Sequence, residues 1–138
     1  MASGTLLFGT GADAETLIPL FVRGAQAAIV TDLLCDHLAE VGPAQGTVGD
    51  AGFVPELAAS WSWNRDSSAV TFHLNPKARW HDGTPVHGSD VAYTFALLRD
   101  PATASPVGPD LAMVDSVRAS TTDSLAVTVY FGTRQPDR

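Results

Sequence analysis

The stretch ARWHDGTPVHGSDVAYTFALLRDP, residues 78–101, decides the fold. Arg79-Trp80 closes an extended run. Asp82-Gly83 is a turn, because glycine accepts positive φ without steric cost and aspartate can bond its own backbone. Pro85 keeps the next residues extended. A helix is predicted from Val86–Gly88 to Asp100, ended by Pro101, which disfavours helical geometry at the residue before it. Asp90 falls in the first turn, where its carboxylate meets the positive end of the helix dipole and reaches an orphan backbone N–H. Val91, Phe95 and Leu98 recur at i, i+4 and i+7 and make one buried face, with Tyr93 and Leu97 paired beside it.

Upstream of this stretch, Val70, Phe72 and Leu74 alternate with Thr71 and His73 as a strand. Trp61 and Trp63 alternate with Ser62 on its hairpin partner, across a polar loop at Asn64–Ser68. Phe53–Ala59 is expected to hold one helical turn after Pro55, a good first helical residue. Ala44–Gly52 is a loop. A long helix is predicted from Gly24 to about Val41, with Ala27, Val30, Leu34, Leu38 and Val41 on one face and Gly42-Pro43 as its stop. Thr5–Gly9 is an apolar run bounded by glycines and reads as a buried strand. Downstream, Ala102–Pro109 is a loop and Leu111–Val114 a short strand or helical turn. Val117–Ala119 and Leu125–Phe131 are strands joined by a turn at Thr122–Ser124. Interleaved helices and hairpins of this kind indicate a mixed α+β fold on two main helices.

Composition narrows the function. The 138 residues suffice for one modest core, and a 45% hydrophobic content is that of a globular chain. The net charge is −7, from 15 acidic and 8 basic residues, with no basic cluster, so nucleic acid is not an expected partner. No run of 18 apolar residues occurs, and no signal peptide is recognised ahead of the first strand. Cys35 is the single cysteine. It lies in an apolar helical pattern and is read as a buried, inert thiol.

Candidate chemistry is sparse. His81, Asp82, His87 and Asp90 are the densest set of metal-type ligands. Each has a local role in the turn or at the helix start, so no metal site is expected there. No G-x-S-x-G, Walker loop or G-x-G-x-x-G occurs, no cofactor is expected, and the chain does not read as an enzyme. Trp61, Trp63 and Trp80 are expected in the core rather than as a stacking platform.

Trp80-His81-Asp82-Gly83-Thr84-Pro85, followed by Ser89-Asp90-Val91-Ala92-Tyr93-Thr94-Phe95, resembles the signature of family 5 extracellular solute-binding proteins, the peptide, dipeptide and nickel receptors of ABC importers. Three further segments agree with it. Gly4–Thr10 with Glu15-Thr16-Leu17-Ile18-Pro19 resembles the mature N-terminus, Ile18 standing where the family usually has Asp. Val54-Pro55-Glu56-Leu57-Ala58-Ala59-Ser60-Trp61 resembles the P-x-L-A-x-S-W block. Val70–Leu74 resembles the strand after it.

The resemblance implies that residues 1–138 are a single partial domain. They would be the N-terminal part of lobe one of a type II periplasmic-binding-protein-like fold, with the second lobe absent and Met1 standing where a signal peptide was removed. It implies a parent that is periplasmic or at the cell surface, binds a small solute such as a peptide, and delivers it to an ABC permease. By position, lobe one would contact that solute through Phe21–Gln26, with Phe21, Arg23 and Gln26 as candidates, and through Val107, Gly108 and Pro109. Val-Gly-Pro stands where nickel-type members can present a large aromatic, which argues against a nickel chelate. The alternative is a stand-alone interaction module derived from this lobe. The strands Thr5–Gly9 and Leu125–Phe131 are expected to be exposed edges, and a homodimer or swapped dimer that buries at least one of them is expected in turn.

Overall fold

The computed structural model describes residue 9 and residues 11–136. Its centre is a four-stranded antiparallel sheet built from two hairpins. Strand β3 (Ala58–Trp63) pairs with β4 (Ala69–Leu74), and β5 (Val114–Ala119) with β6 (Ala126–Phe131); the two hairpins join through β4 and β6, giving the order β3-β4-β6-β5. A separate ribbon pairs β1 (Ala39–Val41) with β2 (Phe53–Pro55). Among the described residues two α-helices complete the fold, α1 (Ala25–Asp32) and α2 (Gly88–Arg99). The mixed α+β class is therefore the observed one. Among the described residues no helix is long and apolar enough to cross a membrane.

The alternation read from the sequence decides which sheet face is packed. Trp61, Trp63, Val70, Phe72, Val127, Val129 and Val117 share one face through the registers Trp61↔Phe72, Trp63↔Val70, Val70↔Val129, Phe72↔Val127 and Val117↔Val129. This face meets Val91 and Phe95 of α2 in two adjoining clusters, in which Val127 is 0% exposed. The opposite face carries Ser62, Thr71, His73 and Thr128, with a hydroxyl–hydroxyl bond of 2.8 Å between Thr71 and Thr128. Trp61 and Trp63 are half-buried as core-facing residues, Trp63 stacking on Phe131 at 5.6 Å between ring centroids.

The turn before α2 forms as its residues dictate. Gly83 has φ +86°. Gly83 N–H donates to Trp80 C=O, Trp80 N–H donates to Thr84 C=O, and Asp82 Oδ1 accepts both the N–H and the hydroxyl of Thr84. Those bonds, the Thr84 hydroxyl foremost, hold the Asp82 carboxyl below its ordinary value. Asp90 then closes the helix start: its Oδ2 accepts the His87 N–H at 2.9 Å, while Asp90 N–H donates to His87 C=O. The first turn is fixed to the sheet by Gly88 N–H, which donates to Ser124 C=O. The helix stops at Arg99, with Asp100 extended ahead of Pro101.

Several expectations are corrected. The long helix from Gly24 to Val41 is only the eight residues of α1; residues 37–41 are instead captured by pairing. Glu56 accepts the His37 N–H at 2.7 Å, and the Leu57 and Ala58 N–H groups donate to His37 and Leu38 carbonyls. The β-branched run Ile29-Val30-Thr31 weakens helix continuation, and the Thr31 hydroxyl bonds back to Ala27 and Ala28 carbonyls. The same pairing replaces the expected helical turn after Pro55 by β2 and the start of β3. Cys35 consequently lies beyond α1 and is half-buried rather than core. Trp80 is 48% exposed, its indole N–H bonded to Asp90 Oδ2, and Tyr93 faces solvent without joining the packed face. Leu125–Phe131 is not an edge: β6 lies between β4 and β5. Leu111 ends a 3₁₀ turn that begins at Gly108, and Val114 opens β5. The expected strand Thr5–Gly9 falls outside the described residues apart from Gly9.

Candidate functional site

Two stretches are singled out in the sequence, Phe21–Gln26 and Val107–Pro109; a hydrogen-bonded seam joins Leu20 and Arg23, at the start of the first, to Ala104 and Ser105, just before the second. Pro19–Phe21 is a 3₁₀ turn opened by Pro19, whose fixed φ suits the first position. Glu15 then reaches over the entrance to α1, its Oε1 accepting the N–H groups of Arg23 at 2.9 Å and Gly24 at 2.6 Å. These are the N–H groups of the N-cap glycine and of the residue before it, which precede the first intrahelical bonds. They hold the Glu15 carboxyl below its ordinary value, the Arg23 N–H contributing most.

Across the seam, the Arg23 guanidinium donates through Nη2 to Ala104 C=O at 3.2 Å, and the buried Ser105 hydroxyl donates to Leu20 C=O at 2.7 Å. Ala104 has φ +47°, in the left-handed region, at a cost of about 1 kcal/mol for a residue with a Cβ. The conformation is imposed by its surroundings. Asp100 Oδ1 caps the Ala102 N–H, the Thr103 hydroxyl donates to Leu97 C=O, and Ala104 N–H donates to Pro101 C=O.

The six candidates have different standings along this seam. Arg23 is exposed and anchored, with guanidinium donors left over for a ligand. Phe21 and Val107 are partly exposed apolar side chains, and Pro109 is exposed. Gln26 is half-buried in the first turn of α1. Gly108 has a packing role: a Cβ there would stand 2.8 Å from Leu98 C=O at the end of α2. The residues that make the seam, Glu15, Ala104 and Ser105, were missed by sequence reasoning. Their bonds run over 8, 81 and 85 positions, beyond any local spacing. Only the Ser-Pro pair after a Pro-terminated helix marks the place in the sequence.

Of the four metal-type residues considered from the sequence, Asp82 is engaged by Thr84, and Asp90 by His87 and Trp80. Among the described residues the one set of three such donors within 4.8 Å is His37, Glu40 and Glu56, elsewhere on the surface. The His37 ring there lies 3.4 Å from Glu40 and 3.8 Å from Asp32.

Residues 52–137, more than half of the chain, match the family described as bacterial extracellular solute-binding proteins, family 5 Middle. The periplasmic oligopeptide-binding protein OppA of Salmonella typhimurium is 34% identical over 102 residues, which is 74% of this chain and 18% of that protein. The periplasmic murein peptide-binding protein MppA of Escherichia coli K12 is 39% identical over 82 residues, 54% of this chain and 15% of that protein. In structure, MoaA of A. tumefaciens R10 in complex with mannopinic acid superposes with a TM-score of 0.77 at 28% identity, over 90% of this chain and 24% of that one. The chain thus spans under a fifth of the length of these two sequence relatives. With the sheet, the capped α2 and the turn before it all in place, the chain belongs to the bacterial extracellular solute-binding proteins of family 5.

Proposed function

We propose that this chain is the part of lobe one of an ABC-importer solute-binding protein that presents one wall of a ligand cleft, and that the solute is a peptide or a similar small molecule. The observation that supports the reading is the seam: the Arg23 guanidinium bonds Ala104 C=O and the Ser105 hydroxyl bonds Leu20 C=O, across 81 and 85 positions, which joins the segment holding Phe21–Gln26 to the segment just before Val107–Pro109. Arg23 offers donors to the carbonyls or carboxylate of a peptide, and Phe21 and Val107 offer apolar contact. The parent is periplasmic or at the cell surface and hands its loaded form to an ABC permease. The reading assigns the chain no catalytic role.

One wall buries too little of a solute to offset the ordering cost of binding. Calorimetry with di- to pentapeptides is therefore expected to show no sub-micromolar affinity. Titration with trialanine at about 10 mM, a regime suited to weak contacts, is expected to move the amide signals of Phe21, Arg23, Gln26 and Gly108. Unmoved signals at those four positions would remove the seam as a ligand surface. A tight complex would overturn the one-wall reading.

The second reading, an interaction module that associates with a protein or with a second copy of itself, is favoured by exposed apolar side chains on and beside α1. Leu33 is 82% exposed, and Leu17 and Ile29 are more than half exposed.

A further inference from the structure

We propose that the cavity between α1 and α2 is a second site, adjoining the seam at Leu20, and that it takes a small organic cation: a primary amine carried on a compact apolar body. The cavity measures about 500 Å³, and none of Phe21, Arg23, Gln26 or Val107 lines it. That volume lies within the range of small-molecule sites. Its walls are largely apolar, with Leu20, Leu34, Cys35, Leu57, Val86 and Val91 among them. Two hydroxyls on the wall are already committed: Thr31 donates to Ala27 and Ala28 carbonyls, and Thr94 to Asp90 C=O.

Asp90 is the polar group left over. Its Oδ2 accepts both the His87 N–H and the Trp80 indole N–H. Among the described residues Oδ1 accepts no hydrogen bond, and Asp90 is half-buried. A carboxylate oxygen in such a place favours a charged donor, since charge-assisted bonds are the strong ones. The Trp80 indole, bonded to the same carboxylate, also lines the cavity and adds aromatic surface to its wall. The remaining charges agree in sign. Asp32, Asp36 and Asp90 line the cavity against one guanidinium, Arg79, whose Nη1 is held by Pro76 and Ala78 carbonyls. Two imidazoles, His37 and His81, and the Cys35 thiol complete the ionisable lining, and His37 sits beside Asp32 and Glu40. An anion would meet this excess of carboxylates; an amine with an apolar body satisfies both wall and rim.

The test uses the 15N-labelled chain and three probes of one shape: phenethylamine, phenethyl alcohol and 3-phenylpropionate, at pH 7 and matched ionic strength. The observed signals are the Cys35 and Val91 amides and the Trp80 indole, the last assigned with Trp80→Phe. The amine is expected to saturate with a millimolar Kd, the alcohol to bind about tenfold more weakly, and the carboxylate to leave the signals in place. Asp90→Asn should reduce the amine to the level of the alcohol. Because Asp90 also caps α2, Cys35→Phe provides the second variant. It fills the cavity without touching the cap, and should abolish binding of amine and alcohol alike. Equal affinity for amine and alcohol, binding that survives Cys35→Phe, or no saturation by about 20 mM amine would each overturn the proposal.

Discussion

Gly83 and Asp82 show how much one turn can depend on two side chains. At φ +86° any residue with a Cβ is strained, and a β-branched one most of all. Gly83→Val is expected to destabilise the fold by about 1–3 kcal/mol, read from urea melts. Nothing stands within 4 Å of a Cβ built there, so the loss would report backbone strain rather than a clash. Asp82 predicts a pH effect. Its folded value is lowered by the Thr84 hydroxyl and N–H, as that of Asp66 is by the Ser68 hydroxyl and N–H. A carboxyl whose folded value lies below its unfolded one stabilises the fold fully above about pH 4 and loses that contribution as pH falls through the folded value. Stability curves against pH should therefore fall on the acid side, and Asp82→Asn should flatten part of that fall. A variant whose acid limb matches the parent's would show that the turn carboxylate is uncoupled from folding.

At the scale of elements, β6 is the strand on which both clusters converge, with Val127 fully buried between α2 and β4. Val127→Ala is expected to cost about 2 kcal/mol in urea unfolding, from lost transfer energy and the cavity left behind. The equivalent change at solvent-facing Val48, in the loop before β2, should be near neutral. What the sequence disclosed at this scale divides along a physical line. The turn, α2 and the four strands of the main sheet were legible because each is specified by neighbours a few residues away: Asp-Gly, Asp90, Pro101 and the alternation of Val70, Phe72 and Leu74. The helix extended to Val41 and the turn after Pro55 were misread for one shared reason. Residues 37–41 and 53–58 satisfy each other's backbone, and pairing across that distance overrides local propensity. In the candidate site, the two stretches were proposed from resemblance alone. The bonds of the seam were not legible, because Glu15 and Ser105 have no periodic or motif signature.

For the molecule as a whole, any association would use different surfaces from those first expected. With β6 internal, the edges of the main sheet among the described residues belong to β3 and β5, and Ile29 of α1 and Leu33 just after it are exposed apolar side chains. Light scattering over a concentration series is expected to show a dimer by about 100 µM, weakened by Leu33→Glu. A monomer throughout would mean that these edges and Leu33 are tolerated in water.

The join between β4 and β6 also bears on how quickly the chain folds. Each hairpin closes a short loop, Asn64–Ser68 in one and Ser120–Leu125 in the other, and such events take microseconds. Bringing Thr71 to Thr128 means closing a loop that contains the whole of α2, whose entropy must be lost before any contact across the join compensates it. The slow event is then the meeting of two ready-made hairpins under a helix still finding its place. The traffic through that step is set by Val70, Phe72, Val127 and Val129, where the two halves first have something to hold.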